Sequence, residues 1–549
     1  MGSKKNKKKA VSKVFRGNQH AFGKAKKGRK KQVQPRPTPP RDQQRKRVAN
    51  DDTPLSRSSK KIRLDHEKEE TSRNIMDFFY FMNFSVLKHI VDEVVQHVVA
   101  CKAKHPKVDL EHLEESKMGF AQKFKISCKS CSWFTETFSS PVVAERGTPG
   151  LNRFTVNSLA VMAFREIGRG HEAMKTFNAC MNMPPPMAKQ AFCSTVDIVS
   201  KAYEDVAKES MATAASEVKV DKAADINDCQ VAIDGTWQKR GFSSLNGAVV
   251  ATSKEGKVMD YQVMSKHCMG CRIWKSREGT PEYDNWKASH ICSINHQKSA
   301  GAMEAEGAVA IFKRSVPTHN LRYRWYIGDG DTEAFNKVKN SNPYGDVVPE
   351  KLECVGHVQK RLGTRLRTLR NNTKGKALED GKKINGRGRL TDKAINTLQN
   401  YYGMAIRQNT KSLYGMKKAV GAVLYHCCDI ENPGVRHKFC PREKDGWCKW
   451  QADKLNGTCT YKKKVNLPVA IKKLLEPIFK DLSAEELLQK CLHGQTQNAN
   501  EAFNAILWQK CPKEVFVGRE TLELAMNSAV ILYNDGFLKL REVFRKPRN

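Results

Sequence analysis

From about residue 75 the stretch "NIMDFFYFMNFSVLKHIVDEVVQHVVACKAK" carries apolar residues at spacings of three and four, the repeat of helices with one buried face. The spacing returns in "FTVNSLAVMAFREIGRGHEAMKTFNACMNMPPP" and "AKQAFCSTVDIVSKAYEDVAKESMATAASEVK", and prolines 184 to 186 break two helical stretches. Residues 73–225 therefore read as a helical N-terminal domain. Beyond them the period changes. "CQVAID" is a short buried strand ending in Asp234, and "LNGAVVATS" and "KVMDYQVMS" flank "KEG" as a hairpin with glycine in its turn. A helix follows in "AGAMEAEGAVAIFKRSV". Next come a strand in "LRYRWYIGDGD", a helix in "TEAFNKVKNS", and a strand in "KLECVGH" that runs into the helix "VQKRLGTRLRTLRN". Antiparallel strands followed by alternating strand and helix predict one mixed α/β sheet, with its first part in residues 226–370. Residues 371–490 are basic and helical without strand alternation, as in an insertion. The α/β unit resumes over 491–549 with "CLHGQTQNANEAFNAILWQKC" and a closing helix.

Charge adds a partner to this picture. Lys plus Arg number 96 against 58 Asp plus Glu in 549 residues, a formal net charge of +38, which favours a polyanion and nucleic acid before membrane. Much of the excess lies in residues 1–72, where lysine, arginine, proline and glutamine stand in place of core residues, so a disordered basic tail is expected. Its "KKNKKK" and "KAKKGRKK" clusters fit nuclear import or a sliding phosphate contact. The basic start has no apolar h-region, and no run approaches the roughly 18 to 20 apolar residues of a membrane span. A soluble, intracellular protein is expected. In a reducing compartment the 17 cysteines are poorly explained by disulfides, and those at ligand spacing read as metal ligands.

Two strand ends carry acids. Asp234 follows "QVAI", Asp329 follows "YIG", and Glu501 lies in the helical "QNANEAFN". Carboxylates on one side of a sheet, completed by a third from a later helix, can hold two divalent cations for phosphoryl transfer, and Mg²⁺ prefers such hard oxygen ligands. Taken singly, each acid reads better as a turn, a loop or a solvated helix residue, a reading that weakens when the three are taken together. Asp331 competes with Asp329, but only Asp329 abuts the apolar strand.

"AIDGTWQKRG", "YIGDGD", "LECVGHVQKRLGTRL" and "CLHGQTQNANEAFN" occur in that order, with the helical insertion between the third and fourth blocks. This arrangement resembles Mutator-like transposases, specifically a branch found in animal genomes, over roughly residues 75 to 540. The resemblance implies a ribonuclease-H-like α/β core with a D-D-E triad at Asp234, Asp329 and Glu501 that binds two Mg²⁺ or Mn²⁺ ions. It also implies a "CxxH" signature at Cys354 and His357 close to the active site. The implied reaction is nicking of double-stranded DNA at transposon ends, followed by attack of a 3′-hydroxyl on target DNA. Paired ends imply a homodimer or higher oligomer. The alternative is a domesticated, catalytically silent DNA-binding protein, and a third class is a sequence-independent nuclease.

Cysteine and histidine spacing points to structural Zn²⁺. Cys268, Cys271, Cys292 and His296 fit a tetrahedral site, with His290 as the other candidate ligand. His437, Cys440 and Cys448, with His426, Cys427 or Cys428, form a second set. Cys128 and Cys131 are a third pair, with Cys101, His105 and His112 as possible partners or with ordinary helical packing instead. Lys360, Arg361, Arg365 and Arg367 lie close together on one helix and could track phosphates. Trp237, Lys239 and Arg240 could line the same groove, Trp237 reading better as core. Recognition of transposon ends is expected in residues 73–225, where no helix-turn-helix is convincing.

Overall fold

The computed structural model describes residues 78–113, 118–143, 154–221, 223–239, 243–329, 332–462 and 465–545. The basic tail, Arg240 and Asp331 fall outside them.

The chain opens with helix α1 (Phe84–Ala100) and then forms three strands, β1 (Val108–His112), β2 (Lys123–Cys128) and β3 (Phe134–Phe138). These pair antiparallel in the order β1-β2-β3, in a segment whose periodicity predicts helix. The reason lies in "KFKISC": Phe124, Ile126 and Cys128 are buried and alternate with less buried neighbours, the two-residue period of a half-buried strand. Runs of five or six residues are short enough for the flanking helical patterns to mask them. Helices α2 (Thr155–Glu166), α3 (His171–Cys180) and α4 (Lys189–Glu217) follow, and the three prolines lie between α3 and α4.

The main sheet is built from β4 (Asn227–Trp237), β5 (Asn246–Ser253) and β6 (Val258–Ser265). Helices α5 (Met269–Trp274), α6 (Pro281–Ser289) and α7 (Ala302–His319) lead to β7 (Leu321–Gly328), α8 (Glu333–Asn340), β8 (Glu350–Glu353) and α9 (Val355–Asn372). Its order is β6-β5-β4-β7-β8. β4, β5 and β6 pair antiparallel, and β7 and β8 run parallel to β4. Gly256, with φ +90°, makes the β5–β6 turn. β4 does not end at Asp234. Asp234 pairs with Val250 and Gly235 with Val249, because β5 offers a complete ladder and Gly235 lacks the positive φ of a tight turn. α7 packs Ala308, Ile311 and Phe312 under the sheet, and Gly307 permits the close approach, since a Cβ there would sit 2.5 Å from Val249 Cγ2.

Six helices follow, α10 (Asp392–Arg407), α11 (Leu413–His426), α12 (Pro433–Arg436), α13 (Lys449–Asn456), α14 (Val469–Leu482) and α15 (Glu485–Gln489), and α10, α11, α14 and α15 build a separate hydrophobic core. That core also takes Val355, Val358, Leu362 and Leu366 of α9, so α9 belongs to the sheet at its start and to the helical insertion along its length. The chain returns with α16 (Asn498–Lys510) and α17 (Arg519–Asp535). Tyr203, Val206 and Ala207 of α4 pack in one core with Leu522, Met526 and Val530 of α17 and Val250 of β5. Helix α4 thus shares a core with the sheet. A polar knot strengthens the junction. Glu166 of α2 pairs with the buried Lys510 of α16 and accepts from Tyr203 Oη at 2.6 Å and Ser528 Oγ at 2.5 Å.

Candidate active site

Asp234 projects from β4 toward α16, where Asn504 Nδ2 donates to its Oδ2 at 2.8 Å. α16 is set on the sheet by side-chain amides. Asn500 Nδ2 donates to Ala232 O and Val250 O, each at 3.2 Å, and accepts from Thr252 Oγ1, while Gln497 Nε2 donates to Ile233 O at 2.5 Å. This docking brings Glu501, in the first turn of α16, to the carboxyl end of β4 and β7. Asp329 directly follows β7, and Cys354 and His357 occupy the start of α9 after β8.

Burial pushes the Asp234 carboxyl up to about 6; His357 and the Asn504 hydrogen bond oppose the rise, and the charges of Glu501 and Asp329 reinforce it. Glu501, Asp329 and His357 thus all act on Asp234, and Asp329 also acts on His357. α9 places a basic side chain beside each of the two outer acids. His357 Nδ1 lies 3.5 Å from Asp329 Oδ1, and Lys360 Nζ lies 3.3 Å from Glu501 Oε1. Cys354, buried, accepts from the Gln497 backbone N–H at 3.3 Å, tying α9 to α16. Burial alone would raise its thiol, but hydrogen bonds from His357 and from backbone N–H groups bring it below its ordinary value. The hydrogen bond to Cys354 holds the His357 imidazole above its ordinary value against burial, and Asp329 adds to this. Gln399 and Arg407 of α10 complete a cavity of about 160 Å³ with His357, Lys360 and Glu501. The three carboxylates do not form a tight cage: among the described residues, only three Cys/His sets bring all their ligand atoms within 4.8 Å of one another.

The raised Asp234 has a measurable consequence for stability. The unfolded chain loses this proton near 3.8 and the native chain keeps it to about 6, so between those values the native state binds more protons and stability falls as pH rises. Above about 6 the full penalty applies, on the order of 3 kcal/mol. Metal-free Asp234→Asn is expected to be more stable than wild type by up to that amount at pH 7 and to match it at pH 3, as read by urea unfolding.

The first Cys/His set joins Cys268, Cys271, His290 and Cys292. His290 Nε2 lies 3.2 Å from Cys268 Sγ and 3.4 Å from Cys271 Sγ, and Cys292 Sγ is 3.5 Å from Cys271 Sγ. His296, expected as the fourth ligand, is elsewhere. Its ring is buried, with Nδ1 2.7 Å from Glu306 Oε2 and Nε2 2.8 Å from Ser299 O. The backbone after α6 is irregular, so a spacing of four does not return His296 to the face of Cys292, whereas His290 caps α6 and stacks on Trp286 at 4.2 Å. The second set joins His426, His437, Cys440 and Cys448, with Sγ–Nδ1 separations of 3.4 to 3.8 Å. Cys427 and Cys428 lie instead in the insertion's apolar core, where burial pushes each thiol up to about 12. Both sets offer four soft or borderline donors in a closed arrangement, the chemistry of structural zinc.

The family model of Mutator-like transposases matches residues 79–448. The chain belongs to the Mutator-like transposase family. A search of curated proteins finds no match. Membership makes DNA the substrate and a divalent metal the expected cofactor. The match takes in Asp234, Asp329, the Cys354–His357 pair and both Cys/His sets, and ends at Cys448, before Glu501. Among the described residues no helix is long and apolar enough to cross a membrane.

In this family member the basic residues of α9 are engaged within the chain. Besides Lys360, Arg361 pairs with Glu353 at 2.5 Å, Arg365 with Asp481 at 3.2 Å, and Arg367 Nη2 donates to Asn396 at 2.6 Å. Trp237 Nε1 donates to Ala300 O at 2.9 Å, which ties it to the loop before α7, and the Lys239 backbone N–H donates to Ser244 Oγ. Sequence reading passed over Asn500, Asn504, Gln399 and Arg407. The first two carry a weak signal in "QNANEAFN", where polar residues sit on the face that also holds apolar Phe503 and Leu507.

Proposed function

We propose that this chain is a DNA transposase that cleaves transposon ends and joins them to target DNA at one site formed by Asp234, Asp329 and Glu501. The observation that supports the reading is that Asp329, after β7, and Glu501, on α16, both lie near enough to Asp234 for their charges to raise its carboxyl. The sheet order β6-β5-β4-β7-β8, antiparallel through its first three strands and parallel through its last two, supports a ribonuclease-H-like core. Two Mg²⁺ or Mn²⁺ ions held by the three carboxylates would lower the pKa of an attacking water or 3′-hydroxyl and stabilise the leaving oxygen.

The chain's own residues prepare this site. Asn504 fixes the Asp234 carboxylate. His357 and Lys360 hold Asp329 and Glu501 in place and offset their mutual repulsion until cations arrive. Lys360, exposed at the rim with Arg407 in the same cavity, is then free to meet a DNA phosphate. Cys268, Cys271, His290 and Cys292 form one structural zinc site, and His426, His437, Cys440 and Cys448 form another that staples the insertion. The basic tail directs the protein to the nucleus, the N-terminal region engages the transposon ends, and paired-end chemistry requires at least a dimer. All of these fit the animal-type branch of the family.

Incubation with duplexes carrying the ends of the chain's own element, with Mn²⁺ present, tests the reading. Cleavage confined to those ends is the expected result. Indiscriminate cutting points to a nuclease, and binding without cutting points to a domesticated DNA-binding protein.

A further inference from the structure

We propose that His97, Cys101, Cys128 and Cys131 form a third zinc site, which clamps helix α1 to the β1–β3 sheet. The four ligand atoms lie within 4.8 Å of one another, and Cys131 Sγ is 3.6 Å from His97 Nε2. His97 and Cys101 stand one helical turn apart on one face at the end of α1, Cys101 being its C-cap. Cys128 ends β2, and the Cys131 backbone N–H closes a tight turn on Cys128 O at 3.4 Å. A helical H-x₃-C and a C-x₂-C knuckle together supply three thiolates and one imidazole, a complete tetrahedral set with no open position. Of the other histidines near this pair, neither His105 nor His112 belongs to the converging set, and the His112 ring meets a different partner. His112 Nε2 lies 2.9 Å from Gln122 Oε1.

Ordinary packing does not account for the arrangement. No residue of α1 is buried, and Phe84, Leu87, Val91, Val95 and Val98 are all exposed. The start of α1 is tethered by the Asn83 backbone N–H to Ser139 O at 2.8 Å, and its end meets the sheet through the Cys/His set and the His97 ring stacked on Trp133 at 4.2 Å. Cys131 is exposed, so burial does not explain its position either. Zinc binding here replaces three S–H bonds with Zn–S bonds and releases the protons to solvent, and the free energy gained fixes the helix to the sheet.

The test uses the full chain, purified with zinc. Cys128→Ser/Cys131→Ser loses one zinc equivalent per chain relative to wild type by elemental analysis and native mass spectrometry, while His97→Cys keeps it. Trypsin cleavage after Lys88, within α1, speeds up at least tenfold in the double variant and not in His97→Cys. If the double variant does not fold, His97→Ala leaves all three thiols in place and reads the same zinc loss and faster cleavage. Unchanged zinc content in both variants overturns the site. Loss of one zinc with unchanged cleavage after Lys88 overturns the clamp.

Discussion

Asp234→Asn abolishes Mn²⁺-dependent cleavage of transposon ends, lowering its rate by on the order of a thousandfold or more while end binding stays within about threefold. The size of the effect follows from position. Asp234 is the innermost of the three acids, and burial pushes its carboxyl up to about 6, with the charges of Glu501 and Asp329 adding to the rise. A neutral amide there keeps the shape and still meets Asn504, but it removes the charge that would draw a divalent ion to the centre of the site. DNA contacts at the rim do not pass through Asp234, so affinity is spared. A gel assay of end cleavage alongside a filter-binding titration separates the two. An Asp234→Asn variant with a cleavage rate within tenfold of wild type would falsify the assignment.

Lys510→Ala destabilises the fold by about 2 to 3 kcal/mol, somewhat less than breaking a fully buried ion pair from one side, because Glu166 is partly exposed. Lys510 is buried at the far end of α16, and its removal leaves the partly buried Glu166 with Tyr203 and Ser528 as donors. Burial and the Glu166 charge already hold the Tyr203 hydroxyl well above its ordinary value, so this phenol donates and cannot share the charge. Replacing both partners, as in Glu166→Met/Lys510→Met, is expected to recover most of the loss because no charge is left buried. Chemical denaturation of the three proteins reads the difference directly. Because α16 also carries Glu501, the single variant is expected to lose activity on heating before wild type does.

The main sheet was legible because its strands are distinct in composition. "CQVAID", the "KEG" hairpin and "YIGD" are apolar runs bounded by glycine or acid, and each became a strand in the predicted order. The β1–β3 sheet was not, since five-residue strands between long helices leave too few alternations to stand out. Two candidate acids were found by the apolar runs that precede them and the third by its helical block, but what sets α16 on the sheet was hidden. It lies in Asn500 and Gln497 reaching the carbonyls of Ala232 and Ile233, residues remote in sequence and joined only by the fold. Ligand choice failed for a related reason. Spacing identified Cys268, Cys271 and Cys292, but whether His290 or His296 joins them depends on the path of an irregular segment. Apolar periodicity likewise marked α4 as one-faced without naming α17 as what that face meets.

The central claim, that Asp234, Asp329 and Glu501 share bound metal, has a direct test in the polypeptide itself. Fe²⁺ with ascorbate and peroxide generates hydroxyl radicals where iron is bound and cuts the nearby backbone. Cuts at all three segments, around residues 234, 329 and 501, suppressed together by excess Mg²⁺ and lost in Asp234→Asn, are the predicted result. Cuts near one acid alone, or cuts that Mg²⁺ leaves untouched, would contradict a shared site.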